Sequence, residues 1–321
     1  MNPLISIAMT TYNGEKYLAE QLDSILSQTY SNFELIICDD CSKDSTVEII
    51  QEYCKKDSRI KLFINRENLG FKKNFEKAIS LCSGEYIALS DQDDIWTLDH
   101  LEKLFKLIQG HKLACGNAEL IDEQGKTLRI KLNEVDELYC FNDSDNLLYK
   151  MLCSRNAFQG ASMLMHKSFL SKAMPIPDII PFHDTWFALC SCFEDRIRYT
   201  FEIITFYRQH LKQTTTHTKR NTFQRILNSI IKIFRGKKYS PERFKYINEI
   251  KKRYNISREQ EEIIKNSTLF LNMKSGKLGL KDKIKAIKFY WNKYDYIHTF
   301  PNHKYRLVRI IKNAILGLTN E

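Results

Sequence analysis

Between residues 4 and 89 the chain alternates short apolar runs with stretches of helical spacing, and each apolar run ends in a polar loop. The runs fall at 4–9, 33–38, 60–64 and 85–89. Between them, 15–28 carries Leu18, Leu22, Ile25 and Leu26 on one helical face, 45–55 carries Val47, Ile50 and Cys54, and 71–82 reads as a third helix. Near-continuous apolar strands separated by helices call for a parallel sheet covered on both faces. Right-handed crossovers then bring every strand's carboxyl end to one edge, where ligands of open α/β sheets bind. The polar loops 10–14, 39–44, 65–70 and 91–94 are therefore expected to converge.

The last of these loops is the most demanding. In residues 85–96 (EYIALSDQDDIW) a buried strand discharges Asp91, Asp93 and Asp94 into a short turn. Like charges that close together resist joint ionisation. A divalent cation, Mg²⁺ or Mn²⁺, removes that cost and commonly keeps phosphate oxygens in its shell; a solvated acidic turn capping the next helix is the bland alternative. Neither GxGxxG nor GxxxxGK[ST] occurs, so phosphate is not expected to rest on a glycine loop. A metal at 91–94 would neutralise a diphosphate instead. Thr10, Tyr12 and Asn13 offer hydroxyls and an aromatic face to a ribose and base, and Asp40 can accept from a pyrimidine N3–H. Together these residues point to a nucleoside-diphosphate site that prefers pyrimidines.

The 321 residues suffice for one large α/β domain and an appendage. A net charge of +10 and a pI near 9.0 suggest an anionic partner. The first residues lack a basic leader region, and no run is long enough to span a bilayer, so a cytosolic protein is expected. Nine scattered cysteines favour a reduced compartment over a disulfide framework. Cys38 and Cys41 form a CxxC, but Asp39 and Asp40 between them would raise a thiolate's pKa, against redox chemistry.

The polar loops also carry a resemblance. IAMTTYNG at 7–14, Gln28-Thr29-Tyr30, FELIICDDCS at 33–42, Asn68-Leu69-Gly70 and SDQDDIW at 90–96 are similar to family 2 glycosyltransferases of the GT-A fold, in order over about residues 3–210. The resemblance implies a Rossmann-like α/β fold with a mostly parallel sheet. It implies that Thr10, Tyr12 and Asp40 hold uracil or thymine, that Asp91 lies near the ribose, and that Asp93 binds the metal. Asp94 is also suited to cap a helix beginning near Thr97.

Further along, 98–109 reads as a helix, 112–117 as a strand, 119–132 as a hairpin, 144–153 as a helix and 158–166 as a strand. The small residues Gly160, Ala161 and Ser162 would let a sugar approach the backbone. The family places its general base on an acidic pair, usually Glu-Asp; here the pair is His183-Asp184, which retains the expected base, Asp184. His183 is read as tuning Asp184, touching the acceptor, or packing. The strand 198–207 leads into Tyr207-Arg208-Gln209-His210, which resembles the YRQH of many bacterial members, including rhamnosyltransferase-like ones. In that reading His210 completes the metal shell or binds phosphate and Arg208 balances diphosphate charge; strand-end packing is the structural alternative.

The organisation expected is a catalytic domain at 1–210, a flap at 211–220, and a basic helical region at 221–321 whose lysines and aromatics suit an anionic membrane surface. Nucleic acid is not expected, for want of a recognised module. The function implied is inverting, metal-dependent transfer of a sugar from a UDP- or dTDP-sugar to a lipid-diphosphate-linked saccharide for bacterial surface polysaccharide. The alternatives are a sugar-1-phosphate nucleotidyltransferase, which would need a glycine-rich first loop, and a non-catalytic nucleotide-sugar-binding partner.

Overall fold

The computed structural model describes residues 2–135, 138, 144–153, 156, 158–194, 197–210, 242–274, 281, 282, 284, 285 and 288. The expected flap at 211–220 and the basic stretches 281–297 and 305–318 lie largely or wholly outside these residues. The chain divides into two compact units, one drawn from 1–133 and 158–216, the other from 134–157 and 217–321.

In the first unit, β1 (Ile5–Thr11), β2 (Phe33–Asp39), β3 (Ile60–Ile64) and β4 (Tyr86–Ser90) are the four apolar runs. They form the parallel half of one sheet in the order β3-β2-β1-β4. Alternation along each strand sorts the helices. Ile5, Ile7, Met9, Leu35 and Ile37 pack against Leu18, Leu22 and Ile25 of α1 (Leu18–Leu26), Ile50 of α2 (Thr46–Lys56) and Leu101 and Leu104 of α4 (His100–Ile108). α3 (Phe71–Leu81) packs on β1 and β2, and Asn74 Nδ2 donates to Cys38 O (2.8 Å) there. The registers Thr11↔Asp39 and Asp39↔Ile64 keep the carboxyl ends level, so the loops open on one edge.

Beyond β4 the sheet is mixed in direction. β8 (Met163–His166) runs antiparallel to β4, and β6 (Leu113–Ile121) antiparallel to β8. β9 (Arg198–Arg208) lies parallel to β6, with Ile121 opposite Arg208. Two reversals therefore return the ends of β6 and β9 to the edge that carries the loops. β7 (Thr127–Lys131) completes the expected hairpin with β6 around Gly125, whose φ of 80° favours glycine. β5 (Ile95–Trp96) pairs with β9. The expected strand at 158–166 exists in its last four residues; Gly160–Ser162 form a 3-10 turn before it. α5 (Leu132–Val135) follows the hairpin. α7 (Lys167–Ala173) and α8 (His183–Glu194) complete the unit.

The second unit is helical in its described part: α6 (Ser144–Cys153), α9 (Glu242–Arg253) and α10 (Arg258–Lys274). Tyr246, Ile247 and Ile250 are the buried stripe of α9, and α10 packs on α6. No helix among the described residues is long and apolar enough to cross a membrane. Cys38, Cys41, Cys54, Cys82 and Cys115 form no disulfide, and burial pushes Cys38 up to about 11.

Candidate active site

The loops at the carboxyl edge enclose a cleft of about 1130 Å³ in the first unit, lined by Thr10, Tyr12, Asn13 and Asp40 together with Asp91, Asp93, Asp184 and His210. Eight of the nine residues singled out from the sequence thus share one cavity. Arg208 does not line it.

The first loop is set by hydrogen bonds to its neighbours. Tyr12 N donates to Gln92 Oε1 (2.8 Å) and Gln92 Nε2 donates to Tyr12 O (3.0 Å), so the residue between Asp91 and Asp93 clasps the backbone of the first loop. The Tyr12 ring is left 49% exposed, with a face free for a base. Asn13 takes a φ of 48°, a region asparagine tolerates. Its amide donates to Ser42 Oγ (2.9 Å) and its Oδ1 accepts from Lys43 N (2.8 Å), stitching the first loop to the second. A Cβ on Gly14 would lie 2.2 Å from Gln92 Oε1, so the clasp requires glycine there.

Asp40 is buried at the base of the cleft. Its Oδ1 accepts from Asn65 Nδ2 and Leu69 N, and its Oδ2 from Gly70 N, all at 2.8 Å. The carboxylate therefore fixes the loop after β3 as well as facing the cleft. The sequence reading missed this second duty, although Asn68-Leu69-Gly70 was part of the pattern. The preceding Asp39 is spent on the turn, accepting from Thr11 Oγ1 (2.8 Å) and Ser42 N (2.8 Å).

In the acidic loop the three aspartates part company. Asp93 Oδ2 lies 2.8 Å from His210 Nε2, and the Tyr17 ring packs against that imidazole, tilted by 38°, at a centroid distance of 5.0 Å. Enclosure in the cleft, then the charges of Asp93 and Asp184, push Asp91 up to about 7. Asp91 thus feels the charge of both other carboxylates. Asp94 points inward: it is buried, its Oδ1 accepts from Arg208 N (3.2 Å), and burial with Asp93 and Asp91 pushes it well above the carboxylate range. It caps no helix, since β5 intervenes and α4 begins at His100 behind Asp99.

Arg208 sits under this loop, fully buried. Its guanidinium donates to Asp93 O (2.9 Å), Glu123 O (3.1 Å) and the Glu20 carboxylate, with Tyr17 over its face at 4.7 Å. The sequence placed it beside a diphosphate; in the structure its donors go to the carbonyls of Asp93, Asp122 and Glu123 and to the Glu20 carboxylate. Glu20, the ion-pair partner, lies on α1 and gave no sequence signal.

Asp184 lies in the first turn of α8, where its Oδ1 accepts from Thr185 N and from Thr185 Oγ1 (3.2 Å). It is the second residue of the helix rather than its cap, and it lines the cleft. The preceding loop is anchored from α3: Lys72 Nζ donates to Asp178 O (2.9 Å) and Ile180 O (3.0 Å).

The donor set suits a hard divalent cation. Asp93 and His210 already share one locus, and the repulsion that Asp91 feels from Asp93 and Asp184 is the kind a cation relieves. Among the described residues no three His, Cys, Asp or Glu side chains form a complete protein cage. Sites for Mg²⁺ and Mn²⁺ on nucleotides use one or two carboxylates and let phosphate oxygens fill the shell.

The family model Glycosyl transferase family 2 matches residues 6–174. An uncharacterized glycosyltransferase of Haemophilus influenzae is 31% identical over 211 residues, 64% of this chain and 79% of that protein. The UDP-Glc:alpha-D-GlcNAc-diphosphoundecaprenol beta-1,3-glucosyltransferase WfgD of Escherichia coli is 38% identical over 121 residues, 37% of this chain and 47% of that one. The chain spans less than half the length of several other curated relatives it matches. Among solved structures, Staphylococcus aureus TarS 1–349 in complex with UDP-GlcNAc has a TM-score of 0.56 at 16% identity, covering 98% of this chain and 91% of that one. That likeness bears on the fold.

Proposed function

The chain belongs to glycosyl transferase family 2, and we propose that it moves a sugar from a UDP- or dTDP-sugar to a saccharide hydroxyl with inversion at the anomeric carbon. One observation carries the reading: Asp40, Asp93 and Asp184, from three separate parts of the chain, line one cleft. In this reading the nucleoside lies against Tyr12 and Thr10 near Asp40, and Asp91 faces the ribose. Asn13 holds the loop beneath it. Asp93 and His210 hold the divalent cation, which when bound offsets the charge of the departing diphosphate.

Asp184 takes the proton of the attacking hydroxyl. A single displacement needs one carboxylate on the acceptor side and nothing covalent from the protein. Arg208 supports the loop beneath Asp93 and leaves the diphosphate to the cation. The catalytic machinery is assigned to residues 1–210, and the basic C-terminal helices to an anionic membrane surface; Lys245, Lys251 and Lys252 are exposed on α9. A lipid-diphosphate-linked acceptor at the cytoplasmic face, for bacterial surface polysaccharide, is supported by the acceptor in WfgD's name.

The test is a donor panel. UDP-glucose, UDP-galactose, UDP-N-acetylglucosamine and dTDP-rhamnose are each incubated with protein and Mn²⁺ or Mg²⁺, and nucleoside diphosphate release is measured. Release from at least one donor is expected, abolished by EDTA. Silence with every donor, together with no thermal shift from UDP or dTDP, would overturn the reading. Pyrophosphate from a nucleoside triphosphate would point to nucleotidyl transfer instead.

A further inference from the structure

His183 opens α8 beside Asp184 and lines the cleft, yet it is 7% exposed. Phe75 packs against its ring at a centroid distance of 4.2 Å, and Phe71 and Phe187 flank it at 6.3 and 6.4 Å. Neither Nδ1 nor Nε2 has a hydrogen-bond partner among the described residues. Burying two polar nitrogens unpaired costs free energy that a phenylalanine in the same aromatic nest would not incur. The imidazole therefore asks for a partner that arrives from outside.

The surroundings say what that partner is. Phe71, 39% exposed, stacks on Phe182 at 6.0 Å and 30°, and both line the cleft. Gly160 faces the imidazole so closely that a Cβ there would lie 2.5 Å from Nε2, so bare backbone is what admits the ring's polar edge. Burial pushes the imidazole down to about 4, leaving one donor and one acceptor at neutral pH. An exposed aromatic face beside a neutral hydrogen-bonding ring suits a pyranose, whose C–H face is apolar and whose rim carries hydroxyls. His183 and Phe71 line the same cleft as Gly70, whose amide binds Asp40, and the base candidate Asp184. A sugar attached to a nucleotide at Asp40 shares that cleft with a hydroxyl at Asp184.

We propose that His183 is a specificity-determining residue that hydrogen-bonds a hydroxyl of the donor's sugar as that sugar stacks on Phe71, the imidazole turning from its phenylalanine nest toward the cleft. The inference rests on the sugar-transfer reading.

The experiment compares wild type, His183→Phe and His183→Gln by calorimetric titration with Mn²⁺, using UDP, dTDP and the four sugar nucleotides above, alongside thermal unfolding. The expected result for His183→Phe is a Tm at or above wild type and UDP affinity within twofold. Its affinity for the preferred sugar nucleotide should fall at least tenfold. His183→Gln, which keeps a donor and an acceptor, should recover most of that loss. The inference is overturned if His183→Phe binds the sugar nucleotide like wild type, if wild type gains nothing from the sugar over the nucleoside diphosphate, or if both variants lose Tm and UDP affinity together, as a packing role would predict. A wild type that binds no pyrimidine nucleotide would instead overturn the transfer reading, and this inference with it.

Discussion

Replacing Glu34 by glutamine should cost this sheet stability in a way that depends on pH. Glu34 lies on β2, buried, opposite Ser6 of β1. Its Oε1 accepts from Ser6 Oγ (2.7 Å), Ser83 N (2.8 Å) and Ser83 Oγ (2.6 Å), and its Oε2 from Lys61 Nζ of β3 (2.8 Å). Burial alone would push the carboxyl up; the Lys61 ammonium and the serine donors outweigh it and bring it from 4.5 down to about 2. A depressed carboxylate contributes its full stability above the unfolded pKa and loses it as pH falls through the folded one. At 1.36 kcal/mol per unit, the shift corresponds to roughly 3 kcal/mol at pH 7. About 1 kcal/mol of that survives at pH 3, because only the interval between the folded pKa and the ambient pH still counts. Urea unfolding of wild type and Glu34→Gln, followed by tryptophan fluorescence at pH 7, 5, 4 and 3, measures the difference directly. Other titrating groups cancel in the subtraction. The gap should hold from pH 7 to 5 and close below 4.5. A gap that stays constant to pH 3, or one that widens on acidification, would refute the reasoning.

Further outcomes follow from the cleft. Asp93→Asn should weaken Mn²⁺-dependent binding of UDP or dTDP at least tenfold, about 1.4 kcal/mol, by titration, while leaving the fold intact by circular dichroism. Asp184→Asn should leave donor affinity unchanged and lower kcat for transfer about 10²–10⁴-fold, the range for a lost general base; normal turnover would remove Asp184 from that role. Gly14→Ala places a Cβ within 2.2 Å of Gln92 Oε1, so it should break the clasp on Tyr12 and raise KM for the sugar nucleotide with a smaller effect on kcat.

Much of the first unit was legible because β1, β2 and β4 are buried almost throughout, and β3 at the sheet's edge is still apolar at four of its five positions. Residues 33–38 and 60–64 read as apolar runs whatever their neighbours, and the rule for crossovers put Asp40 and Asp93 on one edge without reference to side-chain contacts. The antiparallel half was less legible. β5 is two residues long, Ile95 and Trp96, too short for any periodicity. Residues 158–162 are apolar and small, which reads as strand, but Ser162 N donates to Gln159 O (3.1 Å) in a 3-10 turn. Side-chain duties that depend on distant partners left no local trace. Arg208 pairs with Glu20, 188 residues away. Likewise His183 looks like an ordinary departure from an acidic pair until the phenylalanines around it are seen.

Gln92 has one more implication. The middle residue of the Asp-Gln-Asp triplet grips Tyr12 through both its oxygen and its nitrogen, so the first loop and the acidic loop hang on a shared hinge, and on the proposed reading base and cation share it too. Attempts to retarget this protein to another nucleotide by transplanting residues 10–14 alone would leave that grip mismatched. The graft would have to travel with position 92, and any slackness at the purine or pyrimidine end would be felt directly as misplacement of the cation.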